Sequence, residues 1–391
     1  MSFTIQKTLP SKSEVKAKFP LTENLQAQIA QDRQEVMDIL SGQDDRKILI
    51  IGPCSAWPNT AVLEYAEKLA PLAEKYAPKL KIIMRSYIQK PRTTVGWQGP
   101  IVQPDPFGEP DMSAGIFYCR EMMLEIVKMG LPISDEILFP RKNSYFRDLF
   151  TWAAIGARSS ENQEHRVLSS MLEFPIGLKN STSGSLSVAT NSVLAAQTPN
   201  YLALDGMQVQ TSGNPYAHLV LRGGRAQPNT AEERLLRAAS LCKEKNIQNP
   251  GFIIDASHEN SRDPETGQKN PLRQPQVIFE TLKTCEQNPV LKPLLKGWMV
   301  ESFLVDGKQK VCKGQVAGNK LQDKREKIKE KSTNGNIPNT KETAPLTRGK
   351  ASNSSEKQEA GGLIYGQSIT DGCLGWEKTE ALLEELYGRL T

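Results

Sequence analysis

Long apolar runs are missing from this 391-residue chain. Stretches such as Ile48 to Ile51 and Leu219 to Leu221 fall far short of the roughly 20 residues a membrane span needs, and the N-terminus has no apolar signal core. A cytoplasmic location without a membrane partner is the expectation. Cysteine is scarce: Cys54, Cys119, Cys242, Cys285, Cys312 and Cys373 stand alone, with no paired spacing. That excludes a disulfide framework and a zinc ribbon and leaves reduced thiols. A phosphate-cradling glycine signature is absent too. Gly52-Pro53-Cys54 and Arg222-Gly223-Gly224 match neither the dinucleotide-binding nor the P-loop spacing, which removes the main support for a doubly wound open sheet.

Net charge is nearly absent from most of the chain. The formal total is +5. Residues 308 to 360 hold thirteen cations against six acids, a local +7 that leaves −2 for the rest. Nucleic acid is therefore not expected as a partner of the main body. The same segment contains no aromatic residue, which weakens base stacking as a mechanism there. Being rich in Lys, Asn, Ser, Thr and Gly, it cannot bury enough surface to offset ordering entropy, so a basic low-complexity insertion over 307–360, disordered, is expected.

What is present is a rhythm. Residues 1–21, broken by Pro10 and Pro20, read as an extended arm, and a helix is expected from Thr22 to Gly42; together they form an N-terminal unit over 1–46. From Lys47 short continuous apolar runs alternate with helical patterns such as Thr60–Lys75, Ala114–Met129, Ser160–Glu173, Thr230–Lys245 and Gln274–Gln287. Eight such runs end at Cys54, Arg85, Glu136, Arg158, Lys179, Arg222, His258 and Glu301. Continuous apolar strands between helices imply a parallel sheet covered on both faces, and eight units imply an α/β fold of the closed (β/α)8, TIM-barrel type over 47–306 and 361–391. A β-hairpin inserted before the sixth strand is expected near Asp205-Gly206, and a closing helix over Glu377–Leu390.

In that fold the chemistry sits at the C-terminal strand ends. Arg85, Lys90, Arg92, Arg158, Lys179 and Arg222 come from separate units, and their convergence on one mouth would make two sites for phosphate or carboxylate. Cys54, His258, Glu301 and Asp371 form a plausible set for a divalent metal ion, and mixed thiolate, imidazole and carboxylate ligation suits Mn, Fe, Co or Zn. Each has a plainer reading: Cys54 as a small buried hydrophobe, Glu301 as the partner of an arginine. His218 opens a strand and should be structural; His165, in a helical stretch, should pack or face solvent.

Gly52-Pro53-Cys54-Ser55, Lys90-Pro91-Arg92-Thr93-Thr94-Val95-Gly96-Trp97, Ala154-Ile155-Gly156-Ala157-Arg158-Ser159-Ser160-Glu161-Asn162-Gln163, Leu219-Val220-Leu221-Arg222-Gly223-Gly224 and Ser368-Ile369-Thr370-Asp371 occur in one order. Together they resemble the type I 3-deoxy-D-arabino-heptulosonate 7-phosphate (DAHP) synthases. The resemblance implies condensation of phosphoenolpyruvate with erythrose 4-phosphate, the first step of the shikimate route. It implies Cys54, His258, Glu301 and Asp371 as metal ligands, and Arg85, Lys90, Arg158, Lys179 and Arg222 as the phosphoenolpyruvate site. Arg92 and Thr93 would lie near the aldose phosphate, Lys90 and Glu136 would handle protons or water, and a homo-oligomer, dimer or tetramer, is expected. The sequence departs from relatives at Ala56-Trp57-Pro58, at Ser181 and Ser183, in a shortened hairpin and at Phe139 to Ser144. These departures leave the aldose and any aromatic amino acid effector open. Two alternatives stand beside this reading: a related synthase using another aldose phosphate, and a non-catalytic barrel that binds a partner through its basic insertion.

Overall fold

The computed structural model describes residues 2–92, 96–138, 142–204, 206–225, 227–311 and 362–390. Eight parallel strands close into a barrel: β1 (Lys47–Gly52), β2 (Leu80–Arg85), β3 (Ile133–Glu136), β4 (Phe150–Ile155), β5 (Ile176–Lys179), β8 (Ala217–Leu221), β9 (Phe252–Asp255) and β10 (Leu295–Glu301). Each pairs with its neighbours in chain order, and Ile48↔Gly297 to Gly52↔Glu301 closes the ring. These strands are buried at nearly every position, as their unbroken apolar sequences require when both faces are covered. The expected β/α barrel is the fold observed.

Helices α3 (Asn59–Tyr76), α4 (Met112–Lys128), α5 (Gln163–Ser169), α6 (Leu186–Gln197), α7 (Glu232–Glu244), α8 (Gln274–Gln287) and α9 (Trp376–Arg389) belong to the outer layer. None of the described helices is long and apolar enough to cross a membrane. Inside the barrel Ile48, Ile50, Ile83, Trp152, Val220, Ile253 and Met299 pack as one cluster with Val36, Ile39 and Leu40 of α2 (Glu23–Ser41). Helix α2 therefore closes the N-terminal end. Its bounds follow from Thr22, whose hydroxyl caps Leu25 N–H, and from Gly42, whose φ of 83° terminates it in the left-handed conformation.

Four expectations need adjusting. The arm is not wholly extended: Lys12–Lys18 forms α1, because Ser11 and Glu14 make a reciprocal capping box and Val15 is buried in the core. Helix α5 is shorter than Ser160–Glu173, since Asn162 caps it three residues later than expected and its last turn ends at Ser170. Helix α6 lies in a stretch for which no helix was expected. Order also runs past residue 306, because β11 (Val305–Lys308) pairs in parallel with β12 (Gln367–Ser368). The expected disorder of 307–360 otherwise falls on residues 312–361, outside the described residues. The hairpin appears as expected, β6 (Tyr201–Leu204) antiparallel to β7 (Met207–Gln210).

Candidate active site

The carboxyl ends of the strands open into a cavity of about 270 Å³ lined by Arg85, Tyr87, Lys90, Arg92, Glu136, Arg158, Lys179, Arg222, His258, Lys269, Glu301, Thr370 and Asp371 among others. All six cations expected from sequence reach it. Thr93 lies outside the described residues. Arg85 ends β2 and is 1 % exposed; its Nη2 sits 3.3 Å from Glu301 Oε1 and its Nε donates to the Pro53 carbonyl. Burial opposes its charge, but Tyr87 and Glu301 outweigh that and push its pKa up. Gly52 permits this placement. Its φ is 149°, and a Cβ there would meet the Arg85 backbone oxygen at 3.0 Å.

Lys179 ends β5 and donates to Glu136 Oε2 at 2.9 Å, with Asp255 Oδ2 at 3.6 Å. Burial works against both charges of this pair. The Glu136 carboxyl is nevertheless held below its ordinary range by Lys179 and Lys90, and the Lys179 amine is held above its own by Glu136. Lys90 donates to the Cys54 carbonyl and lies 3.2 Å from its sulfur. Tyr87 forms part of the floor, with the Arg85 guanidinium 3.9 Å above its ring. The side-chain atoms Nη1 of Arg85 and Nη1 of Arg222 are buried with no hydrogen-bond partner. Unmet guanidinium donors at a cavity wall are costly unless a ligand's oxygens fill them.

The donor atoms of Cys54, Glu301 and Asp371 all lie within 4.8 Å of one another. Backbone pairing delivers them: Leu374 N–H donates to the Glu301 carbonyl at 2.9 Å, Cys373 and Gly307 exchange bonds, and Ser55 Oγ meets Thr370 Oγ1 at 2.9 Å. Asp371 is thereby placed beside a strand that precedes it by the whole undescribed segment. One thiol and two carboxylates fit a borderline-soft divalent ion. Burial first, then Glu301, pushes the Cys54 thiol up to about 11, so the thiol keeps its proton and a cation held here would have to displace it. Glu301 also pairs with Arg85, so its plainer reading and its ligand reading coexist.

His258 lines the same cavity but lies outside that three-residue group. It stands three residues beyond the end of β9 at φ 54°, with Nδ1 2.9 Å from Asp255 Oδ2. Such a carboxylate fixes an imidazole tautomer and leaves Nε2 for the cavity. Sequence reasoning missed Asp255 because the apolar run was read through to His258, although Asp255 is the polar residue that closes Phe252-Ile253-Ile254. It also missed Tyr87 and Lys269. Arg158 stands three residues past β4 and still reaches the cavity. Arg92 is exposed and bonded through Nε to the Trp97 carbonyl at 2.8 Å. His218 is structural as expected, accepting from Trp152 Nε1 inside the barrel. His165 is buried, its Nε2 2.9 Å from the Leu138 carbonyl.

A closed parallel barrel whose open end gathers buried cations beside a thiol and two carboxylates has the form of a (β/α)8-barrel enzyme with a cationic mouth. Comparison with known proteins narrows the class. The model of the DAHP synthetase I family matches residues 19–335. The chain is 34% identical over 397 residues to the Tyr-sensitive phospho-2-dehydro-3-deoxyheptonate aldolase of Escherichia coli K12, covering 99% of this chain and 96% of that one. It is 36% identical over 385 residues to the phospho-2-dehydro-3-deoxyheptonate aldolase of Corynebacterium glutamicum, covering 97% and 90%. The solved phospho-2-dehydro-3-deoxyheptonate aldolase of Francisella tularensis superimposes with a TM-score of 0.79 at 32% identity, covering 100% and 98%. The chain belongs to the DAHP synthetase I family.

Proposed function

We propose that this enzyme condenses phosphoenolpyruvate with erythrose 4-phosphate to give DAHP and inorganic phosphate. The observation that supports it most is the meeting of Arg85, Lys90, Arg158, Lys179 and Arg222 on one cavity, with two guanidinium nitrogens left buried and unpaired. A ligand carrying both a phosphate and a carboxylate answers that surplus. Phosphoenolpyruvate binds these five residues; Arg92 and Thr93 hold the aldose phosphate.

Cys54, Glu301 and Asp371, with His258 through Nε2, would hold the divalent ion, of the Mn, Fe, Co or Zn type. Such an ion supplies Lewis acidity toward a carbonyl oxygen. The chain's own groups order the rest. With the cations fixing the enolpyruvate, its C3 attacks the aldehyde carbon, and C2 becomes electron-poor as the carbon–carbon bond forms. Lys90, kept protonated by Cys54 and Glu301 despite burial, gives a proton to the new alkoxide oxygen. Water then adds at C2, and Glu136, held ionised by Lys179, takes its proton. The C2–O bond to phosphate then breaks with its electron pair on the phosphate, which takes the C2 hydroxyl proton as the ketone forms, and the proton held by Glu136 returns to Lys90 through solvent.

A second reading, another aldose phosphate in place of erythrose 4-phosphate, is favoured by the exposure of Arg92, the cation assigned to the aldose phosphate. Phosphate release from phosphoenolpyruvate, measured with a panel of aldose phosphates with and without a chelator, separates the readings. The expected result is release that requires an aldose phosphate, fastest with erythrose 4-phosphate, lost on chelation and restored by added metal. A preference for a different aldose supports the second reading, and no turnover with any aldose in metal-replete protein removes both.

A further inference from the structure

At the opposite, N-terminal end of the barrel lies a second cleft, of about 700 Å³, bordered by the C-terminal ends of α2, α8 and α9 and the starts of β1 and β10. Lys296 lines it. This residue is 7 % exposed, and among the described residues nothing accepts a hydrogen bond from its amine and no carboxylate lies within ion-pair distance of it. Its neighbours differ. Lys47 donates to the Leu295 carbonyl at 2.9 Å and Lys79 to the Leu390 carbonyl. Gly251 makes room for the Lys296 stem, because a Cβ there would stand 2.7 Å from its Cγ.

The stem of Lys296 is enclosed while its amine opens on the cleft with no protein acceptor among the described residues, so a ligand oxygen can reach it. Burial, with Lys47 adding to it and Asp45 opposing, pushes the amine down to about 8, which still leaves it charged at neutral pH with no carboxylate among the described residues paired to it. Cations exceed acids along the cleft: Arg46, Lys47, Lys79, Lys292 and Lys296 stand against Asp44, Asp45 and Glu286. Asp44 is already engaged by Arg46 at 2.7 Å. The remaining walls include Ile39, Leu282, Pro293 and Leu390. A cleft of several hundred Å³ that joins apolar walls to a cationic rim suits a small molecule with an apolar body and an acid group, and its volume exceeds what a bare oxyanion occupies.

We propose that this cleft binds a small organic anion, its carboxylate or phosphate on Lys296 and its apolar body against Leu282, Pro293 and Leu390. The site is independent of the chemistry at the mouth. Calorimetric titration of the full chain with hexanoate, hexyl phosphate, hexanol and inorganic phosphate tests it. Hexanoate or hexyl phosphate should bind, the tighter of the two naming the acid group, with hexanol and the Lys296-dependent binding of inorganic phosphate at least tenfold weaker. Lys296→Met should weaken the acid probes at least tenfold, leave hexanol unaffected and keep wild-type phosphate release. Equal affinity in the two proteins, or no binding of either acid probe to the wild type, overturns the site; inorganic phosphate binding there as tightly as hexyl phosphate overturns the stated ligand class. A measurement on the unmodified protein covers the case in which the variant does not fold: hexanoate should protect Lys296 from trace acetylation read by peptide mass spectrometry. Unchanged labelling contradicts the proposal.

Discussion

At the open end of the barrel Arg85 and Lys179 are 1 % and 2 % exposed and remain charged, because Glu301, Glu136 and Asp255 stand against them. At the closed end His218 is 1 % exposed, but its partners are the Trp152 indole and the Tyr216 carbonyl, and burial pushes it down to about 4. The desolvation cost is the same in kind at both ends. The mouth meets it with counter-charges and His218 meets it by giving up the proton. Opposed charges held in place cost stability and are useful where a charged ligand must be gripped, whereas a neutral imidazole serves packing. The difference marks which end performs chemistry.

Several experiments would break or sharpen that contrast. The largest effect is expected from Cys54→Ala or Asp371→Asn: each should reduce turnover by roughly a thousandfold or more, as loss of several kcal/mol of Lewis-acid stabilisation implies, and should lower metal content measured after dialysis. Turnover near wild type in either variant would detach the thiol–carboxylate group from the reaction. Lys179→Met should come next, costing about 3–5 kcal/mol in denaturant unfolding, because Glu136 and Asp255 lose a buried counter-charge. A cost below 1 kcal/mol would mean the mouth does not rely on paired charges.

The closed end predicts a pH effect of defined sign. The folded pKa of His218, about 4, lies below its unfolded value near 6.5. Between those values the unfolded chain binds the extra proton, so stability is fully present above about pH 6.5 and is lost as pH falls toward 4, by roughly 3 kcal/mol in total. His218→Gln should remove that part of the slope. An unchanged profile in the variant would show that His218 titrates alike in the folded and unfolded chain. Smallest is Arg92→Ala, for which we expect a KM for the aldose phosphate raised about tenfold with little change for phosphoenolpyruvate, in line with one exposed charge-assisted contact. Equal losses for both substrates would undo the division of the cations.

Much of this contrast was legible in the chain. Runs such as Lys47 to Ile51 and Leu219 to Leu221 are unbroken by polar residues because both faces of each strand are covered, and the residues that end them are the ones the barrel brings to one mouth. Asp371 was legible as a candidate ligand but not in its place, since its position depends on the pairing of β11 with β12 and on the Glu301–Leu374 bond across a long intervening segment. Asp255 and Tyr87 were hidden for a different reason. Whether a residue inside or just past an apolar run points into the cavity depends on where the strand ends, and the runs do not mark that to the residue. Lys296 offered no signal at all: its burial is created by Gly251, Gly42 and the ends of three helices distant in sequence.

The claim that joins these observations is that the unpaired guanidinium nitrogens at the mouth are filled by substrate. Equilibrium titration of phosphoenolpyruvate onto the wild type and Arg222→Met tests it directly, because Glu259 keeps Arg262 and Lys269 as partners when Arg222 is removed. A loss of affinity of tenfold or more with the fold intact is the predicted result; the same affinity in both proteins would contradict it.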